Sequence, residues 1–364
     1  MVLGNPQTQN TELPKALWVS PVSDLGGVAR HFADVAKAGI PGFNLVFMMP
    51  QGPLADQLLS AGAEVEVAQF GPQFGFWRSR KSLIAAIGKV NPTVVHSHLA
   101  FADIVLAATP IAKPGIRVST EHGIAAPNIY HGSEIRSRIM RLVHTIRCQR
   151  FDALVAVSES TKQVMQKLWR PRTAISVIYN GVDLPAGTPN KQAKDNSSLT
   201  ILSLARLSQE KRIDDLIRAF AILRQGNPAA RLQIAGDGPE AKYLKRLSNE
   251  LGVAEYVDFL GFVEPNAALE NADVLVQLSK WENCSYTLLD AKSRGLAVVA
   301  TAVGGNPEII DADSLVDKID HLALAQLISS KHKRMSESAS KWAWSTVSQM
   351  TAQIALVYRE SLKQ

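Results

Sequence analysis

Two charged pairs in the second half of the chain have the residue types and spacing to bind a polyhydroxylated anion. Arg206 and Lys211 straddle the turn Ala205-Arg206-Leu207-Ser208-Gln209-Glu210-Lys211-Arg212, which joins a β-branched run to a helix-length stretch. A guanidinium fork and a mobile ammonium placed there can clamp a diphosphate; an ordinary solvated basic pair is the bland alternative. Glu282 and Asp290, with seven residues between them, form the second pair. With a helix starting near Ser285, the carboxylates stand on either side of its N-terminus, separated by roughly 1.5 Å per helical residue plus the loop. An anion held by the free N–H groups would lie between them, with hydroxyls in reach of each carboxylate.

The first half carries weaker signals. Gly26-Gly27, before a helix from about Val28, lets the backbone approach a ligand closely, and the helix N-terminus favours an anion. Neither this segment nor Gly236-Asp237-Gly238-Pro239 has the third glycine of a dinucleotide site, so each also reads as a tight turn. His96 and His98 alternate onto one strand face as a metal pair does, but no third ligand is apparent and no metal is expected. His122 beside Glu121 reads either as a cleft histidine or as half of a satisfied polar pair. Asp311-Ala312-Asp313 mimics a metal motif but falls in a late polar loop, where solvated carboxylates are expected.

The elements that must position these residues alternate. Short strand-like runs (Leu17 to Val19, Leu45 to Phe47, Val65 to Val67, Thr93 to Val95, Ile116 to Ser119, Leu154 to Val157, Ile175 to Ile178) alternate with amphipathic helical stretches, predicting a parallel sheet covered on both faces. After Asn180-Gly181-Val182-Asp183 the chain turns rich in Pro, Gly, Asn, Lys and Ser, a linker over 184–199. A second series follows: Thr200 to Leu204, Leu232 to Ala235, Val257 to Phe259, Val274 to Gln277 and Val298 to Thr301. The fold class is therefore α/β, with two doubly wound Rossmann-like domains, 1–183 and 200–346, facing each other across a cleft. Ligands in such folds bind beyond the carboxyl ends of the strands.

Composition agrees with a globular chain: 364 residues, 46% hydrophobic and 20% charged. The longest uncharged stretch, Gly39 to Ala55, is broken by Pro41, Pro50 and Pro53, which excludes a membrane-spanning helix there. Residues 1–14 read as a frayed polar leader without a signal pattern. Cys148 and Cys284 have no partner at metal or redox spacing and read as core residues of a cytoplasmic protein. The net charge of +6 sits wholly in residues 1–183, with 18 Lys and Arg against 12 Asp and Glu; the remainder has 21 of each. A basic first half points to an anionic partner, such as a membrane surface, an acidic acceptor or nucleic acid, though no nucleic-acid reading motif is present. Two segments carry that charge. Ile135, Ile139, Leu142 and Ile146 form a helical stripe among Arg136, Arg138, Arg141, Arg147 and Arg150, which reads as a helix packing by its stripe or as a membrane-facing one. Phe70, Phe74, Phe76 and Trp77 precede Arg78, Arg80 and Lys81, a candidate acceptor or membrane contact.

Taken in order, Gly26-Gly27, His96-Ser97-His98, Glu121-His122-Gly123, Val157-Ser158, Tyr179 to Asp183, Arg206 to Lys211, Ala235 to Pro239, and Glu282 to Glu308 with Val303-Gly304-Gly305-Asn306-Pro307-Glu308 resemble the glycosyltransferases of family 4, of the GT-B fold. The resemblance covers nearly the whole chain. It implies a retaining transferase that moves a sugar from a nucleotide-sugar donor, UDP- or GDP-linked, to a glycan, lipid-linked or small-molecule acceptor, needing no metal or other cofactor. It implies an acceptor domain, a donor domain, and a last helix, 347–364, crossing back to the first. Arg206 and Lys211 would hold the diphosphate, Glu282 the sugar hydroxyls and Asp290 the ribose. His122 would line the reaction centre, and Gly26-Gly27 would close on the phosphate and acceptor side. Gly236, Phe262, Asn283, Cys284 and Ser285 complete the expected donor site. Where the family usually has Glu, Asp290 reaches about one methylene less far, and Asn283-Cys284-Ser285 replaces a glycine-rich turn. An epimerase, a phosphorylase or a non-catalytic subunit on the same fold are the rival readings.

Overall fold

The structure, a computed structural model, describes residues 13–124, 134–184, 199–333 and 343–364. The expected linker lies mostly outside the described residues, as does the leader apart from Leu13 and Pro14.

Two parallel sheets form the frame. The first contains β1 (Lys15–Val19), β2 (Asn44–Met49), β3 (Val65–Val67), β4 (Val94–His98), β5 (Ile116–Glu121), β6 (Ala153–Ala156) and β7 (Ile175–Val177), in the order β3-β2-β1-β4-β5-β6-β7. The second contains β8 (Thr200–Leu204), β9 (Arg231–Ala235), β10 (Val257–Gly261), β11 (Val274–Gln277), β12 (Ala297–Thr301) and β13 (Leu315–Val316), in the order β10-β9-β8-β11-β12-β13. Each order reverses beside the first strand of its sheet, so both sheets open their crevice at the carboxyl ends of the central strands. The two-residue strand β13 is too short to leave a periodic signal in the sequence.

The alternation along β1 shows why both faces must be covered. Ala16 and Trp18 join a cluster with Phe32, Phe47 and Met350, while Leu17 and Val19 join the opposite cluster with Leu83, Val105 and Met165. These four residues of β1 are fully buried, as a central parallel strand requires.

The helix Val347–Leu362 belongs to the first of these clusters. Its N-terminus is set by a capping box between Thr346 and Gln349. Met350, Ile354, Ala355 and Tyr358 then form the buried stripe that packs on the first sheet. Asn180-Gly181-Val182-Asp183 anchors it: the Asn180 carbonyl accepts from the Trp344 indole at 2.8 Å, Val182 N–H donates to the Ser345 carbonyl at 2.9 Å, and Asp183 accepts from Val347 N–H at 3.1 Å. A Cβ on Gly181 would stand 2.5 Å from the Thr346 carbonyl, so this crossing needs glycine.

Deep in the core, Trp18 Nε1–H donates to the Tyr358 hydroxyl at 2.9 Å, the hydroxyl meets His96 Nδ1 at 2.6 Å, and His96 Nε2 meets Thr120 Oγ1 at 2.8 Å. Because the indole can only donate, the arrangement that uses every donor runs from Trp18 through Tyr358 to Nδ1 of a neutral His96. Tyr358→Phe should leave the indole N–H and His96 Nδ1 unpartnered, costing about 1–3 kcal/mol. That appears as a lower denaturant midpoint for the first domain; an unchanged midpoint would show that the chain of bonds contributes nothing.

Candidate active site between the two sheets

The loops at the carboxyl ends of β8, β9, β11 and β12 pack on one another through glycine. Gly236 has φ +133, and a Cβ there would lie 2.0 Å from the Ala205 carbonyl; Gly304 has φ +54, and its Cβ would lie 1.7 Å from the Glu282 carbonyl. Both require the left-handed region and a backbone without side-chain bulk. Gly236 thus seats the Arg206 turn, and Gly304 seats the Glu282 loop.

On that frame Lys211 pairs with Glu282, and Ser279 Oγ donates to the same carboxylate oxygen, Oε1, at 2.7 Å. Arg206 is two-thirds exposed and pairs with Glu210 at 2.7 Å. Although desolvation opposes its charge, Glu210 is drawn down to about 2 by hydrogen bonds from Ser208 and Arg206. Both cations of the expected clamp therefore face the cleft end already neutralised by a carboxylate. Ser285 is the N-cap of the helix Tyr286–Ser293 and accepts from Leu288 N–H at 3.4 Å. Phe262, just past β10, is 77% exposed, whereas Cys284 is buried in the second-domain core.

Asp290 lies in that helix, only 4% exposed. Its carboxylate is gripped by both terminal nitrogens of Arg30 from the first domain, one at 2.9 Å, and Arg30 also lies 4.5 Å over the Tyr286 ring. Gly26 and Gly27 open the helix Gly27–Ala38 that carries Arg30, and a Cβ on Gly27 would meet Tyr286 at 3.9 Å. The sequence reading missed Arg30. Its signal was a cation near the positive end of a helix with no acid in its first turn, where the macrodipole disfavours it unless an outside anion is present.

Other contacts cross the same seam. Asn283 Oδ1 accepts from Ile124 N–H at 3.2 Å and from Thr161 Oγ1 at 3.1 Å. Asn180 donates to the Cys284 carbonyl at 2.9 Å. Glu308 accepts from Glu159 N–H and Ser160 N–H, both at 2.9 Å. That places a carboxylate on the N-terminus of the helix Glu159–Trp169, where it opposes the macrodipole favourably.

His122 is paired with His98 at 2.8 Å, not with Glu121. Burial pushes His31, His98 and His122 down, His31 to about 4, so all are neutral. Among the described residues the strand pair His96–His98 does not itself gain a third ligand; His98 instead meets two histidines from elsewhere in the chain. The strand placed only His96 and His98 in register, but the helix Gly27–Ala38 and the loop after β5 bring His31 and His122 to it. Ligand nitrogens of His31, His98 and His122 lie within 4.8 Å of one another, a group that could hold a metal ion. His96 lies outside this group, with both its nitrogens engaged by Tyr358 and Thr120.

Glu121 instead meets Arg147 at 2.6 Å, and Arg147 also pairs with Asp103, which accepts from Ser97 at 2.5 Å and Ser119 at 2.8 Å. All three charged groups are buried. One guanidinium between two carboxylates leaves a net negative charge if both ionise, and burial raises Glu121 to about 8. Asp311 and Asp313 are paired with Lys292 at 3.1 Å and Lys331 at 2.6 Å and are largely exposed.

The aromatic-basic segment is less open than its composition implied. Phe70, five residues before the helix Gly75–Val90, is fully buried, and that helix turns Phe76 inward onto the core. Phe74 is half-buried, and Arg80 donates to the Ala108 carbonyl at 2.9 Å. Trp77, 77% exposed, stands outside with Arg78 and Lys81. Of the two readings of the stripe on the helix Glu134–Cys148, inward packing is excluded, because Ile135, Ile139, Leu142 and Ile146 are all exposed. Among the described residues no helix is long and apolar enough to cross a membrane.

Residues 25–185 match Glycosyltransferase Family 4, and residues 188–342 match Glycosyl transferases group 1. The chain is a family 4 glycosyltransferase of the GT-B fold. The glycosyltransferase's curated relatives include WcaL of Escherichia coli, named for colanic acid biosynthesis, 32% identical over 214 residues, 54% of this chain and 53% of that protein. Glycogen synthase of Mycobacterium tuberculosis is 26% identical over 95% of both chains. Among solved structures, Anabaena HepE in complex with UDP-glucose superposes with a TM-score of 0.75 at 19% identity, covering 96% of this chain and 98% of that one. The lipopolysaccharide outer core galactosyltransferase WaaB gives 0.67 at 18%, over 95% and 99%.

Two outcomes follow. Arg30→Ala should weaken the seam, lowering stability by about 1–3 kcal/mol, below the fully buried range because a third of the Arg30 side chain stays exposed. The radius of gyration in small-angle scattering should rise with it. Glu121 sets a pH dependence: its folded value lies above its unfolded one, so the folded state holds the extra proton and stability falls as pH rises from about 5 to about 8. Unfolding midpoints of wild type and Glu121→Gln across that window check this; the variant should lose the slope.

Proposed function

We propose that this transferase moves a sugar from a UDP- or GDP-linked donor to a glycan, lipid-linked or small-molecule acceptor with retention of anomeric configuration. We assign it to surface polysaccharide or glycolipid synthesis in the cytoplasm. The observation carrying this reading is the Lys211–Glu282–Ser279 cluster beside the Ser285 N-cap, stitched through Asn283 to the loop that bears His122. A cation, a carboxylate and a helix N-terminus converge where a sugar diphosphate would need all three. The complex of Anabaena HepE with UDP-glucose supports a nucleotide-sugar donor here.

In this mechanism the donor diphosphate displaces Glu210 from Arg206 and shares Lys211, and the helix N-terminus helps hold the leaving charge. Stabilising that charge is the largest electrostatic contribution. The departing diphosphate takes the proton of the acceptor hydroxyl on the face it leaves. Glu282 holds the sugar hydroxyls, and neutral His122 lines the reaction centre. No step needs a metal, so turnover should persist in a chelator.

A non-catalytic reading is favoured by one observation: Arg30 already occupies Asp290, the carboxylate expected on the ribose. A carboxylate has about four acceptor positions and the fork uses two, so a ribose hydroxyl can still bind. Donor consumption with a natural acceptor decides between these readings.

Lys211→Ala should weaken nucleoside diphosphate binding roughly tenfold or more, since charge-assisted bonds contribute about 1.5–3 kcal/mol. Glu282→Gln should cut turnover strongly while leaving that affinity within a few fold. Calorimetry with the diphosphate and donor turnover read the two separately. Strong loss of affinity in Glu282→Gln with normal turnover would reverse the roles.

A further inference from the structure

The helix Glu134–Cys148 is turned inside out. His144, Arg147 and Cys148 are buried, while Ile135, Ile139, Leu142 and Ile146 are 69, 56, 59 and 53% exposed. At 3.6 residues per turn the four aliphatic residues fall within an arc of about 60°, opposite the buried three. A surface helix of a globular protein has the reverse arrangement. A continuous apolar stripe of this kind has an occupant in the working protein.

The surrounding charge identifies it. Arg136 and Arg138 are exposed beside the stripe and Arg141 is exposed further round the helix, with Arg150 just past its end, and the helix's one acid, Glu134, lies 3.7 Å from Arg138. Trp77, Arg78 and Lys81 lie on the same helical layer, which runs from Gly75–Val90 through Ala100–Ala107 to Glu134–Cys148. A second copy would bring an equally basic face to this one and repel it. We infer that this face docks on an anionic lipid bilayer, the aliphatic stripe entering the headgroup boundary and the arginines meeting lipid phosphates.

The inner side of the same helix holds Arg147, which grips Glu121 next to His122. Docking therefore fixes the distance between the bilayer and the His122 loop, which suits an acceptor carried by a lipid. That last step rests on the glycosyl-transfer reading; the docking does not.

The test sediments the full chain with vesicles of phosphatidylcholine alone or mixed with phosphatidylglycerol. The chain should partition onto the mixed vesicles and not the neutral ones, and the bound fraction should fall as salt rises. Ile139→Asn with Leu142→Asn should reduce partitioning at least tenfold, and Arg138→Ser with Arg141→Ser should do likewise. Both should leave the thermal midpoint and nucleoside diphosphate affinity unchanged. Absence of wild-type binding, equal binding to both vesicle types, or variants that bind like wild type would overturn the proposal. So would a dimer in light scattering that the aliphatic variant dissolves, which would give the stripe to a second copy. If vesicles bind as expected but no nucleotide does, the glycosyl-transfer reading fails and the docking stands.

Discussion

A buried carboxylate needs polar partners, and Asp290, 4% exposed, is gripped by Arg30 of the other domain, with Arg294 at the end of its own helix 3.9 Å away. That requirement organises the molecule. Arg30 can reach Asp290 only if the helix Gly27–Ala38 stands close to Tyr286–Ser293, where even a Cβ on Gly27 would make only ordinary contact with Tyr286 at 3.9 Å. Once they are so placed, Asn283, Asn180 and Glu308 find their own partners across the seam. The two sheets are thus held carboxyl end to carboxyl end by polar bonds, beside an apolar cluster in which Val157 and Val182 of the first domain pack with Leu202, Cys284 and Tyr286 of the second. Polar bonds exchange with water and ligand hydroxyls more readily than packed side chains do, which suits a seam that must admit a substrate.

The reacting groups are held by a different constraint. Parallel sheets deliver every strand-to-helix loop to one end, so crowding there is severe. The glycines relieve it by letting one loop's backbone lie against the next. Lys211 and Glu282 come from loops far apart in sequence and meet because those loops have nowhere else to go.

Much of this was legible in the residues. Buried parallel strands write continuous β-branched runs, so twelve of the strands were visible; β13 was not, because two residues carry no period. Ser285 as an N-cap could be read from its type and position. Contacts across the seam could not. Nothing local says that Arg30 faces Asp290 or that His31 and His122 approach His98, since those distances depend on how one sheet sits on the other and how a loop folds back. The stripe of Glu134–Cys148 was legible as a stripe, but its direction depended on the buried Asp103–Arg147–Glu121 cluster. Periodicity cannot distinguish an arginine that holds two core carboxylates from one that faces water.

The return of Val347–Leu362 to the first sheet has a consequence for biosynthesis. Trp18 and His96 are among the early residues to leave the ribosome, yet their hydroxyl partner, Tyr358, is among the late ones. While the second domain is being translated, the first must wait with the surface later covered by Met350, Ile354 and Tyr358 open to water. Domains usually fold in order as they emerge, but here the nascent first domain is sealed only after the second has been made. A chaperone that shields apolar surface during translation would find its substrate in that interval.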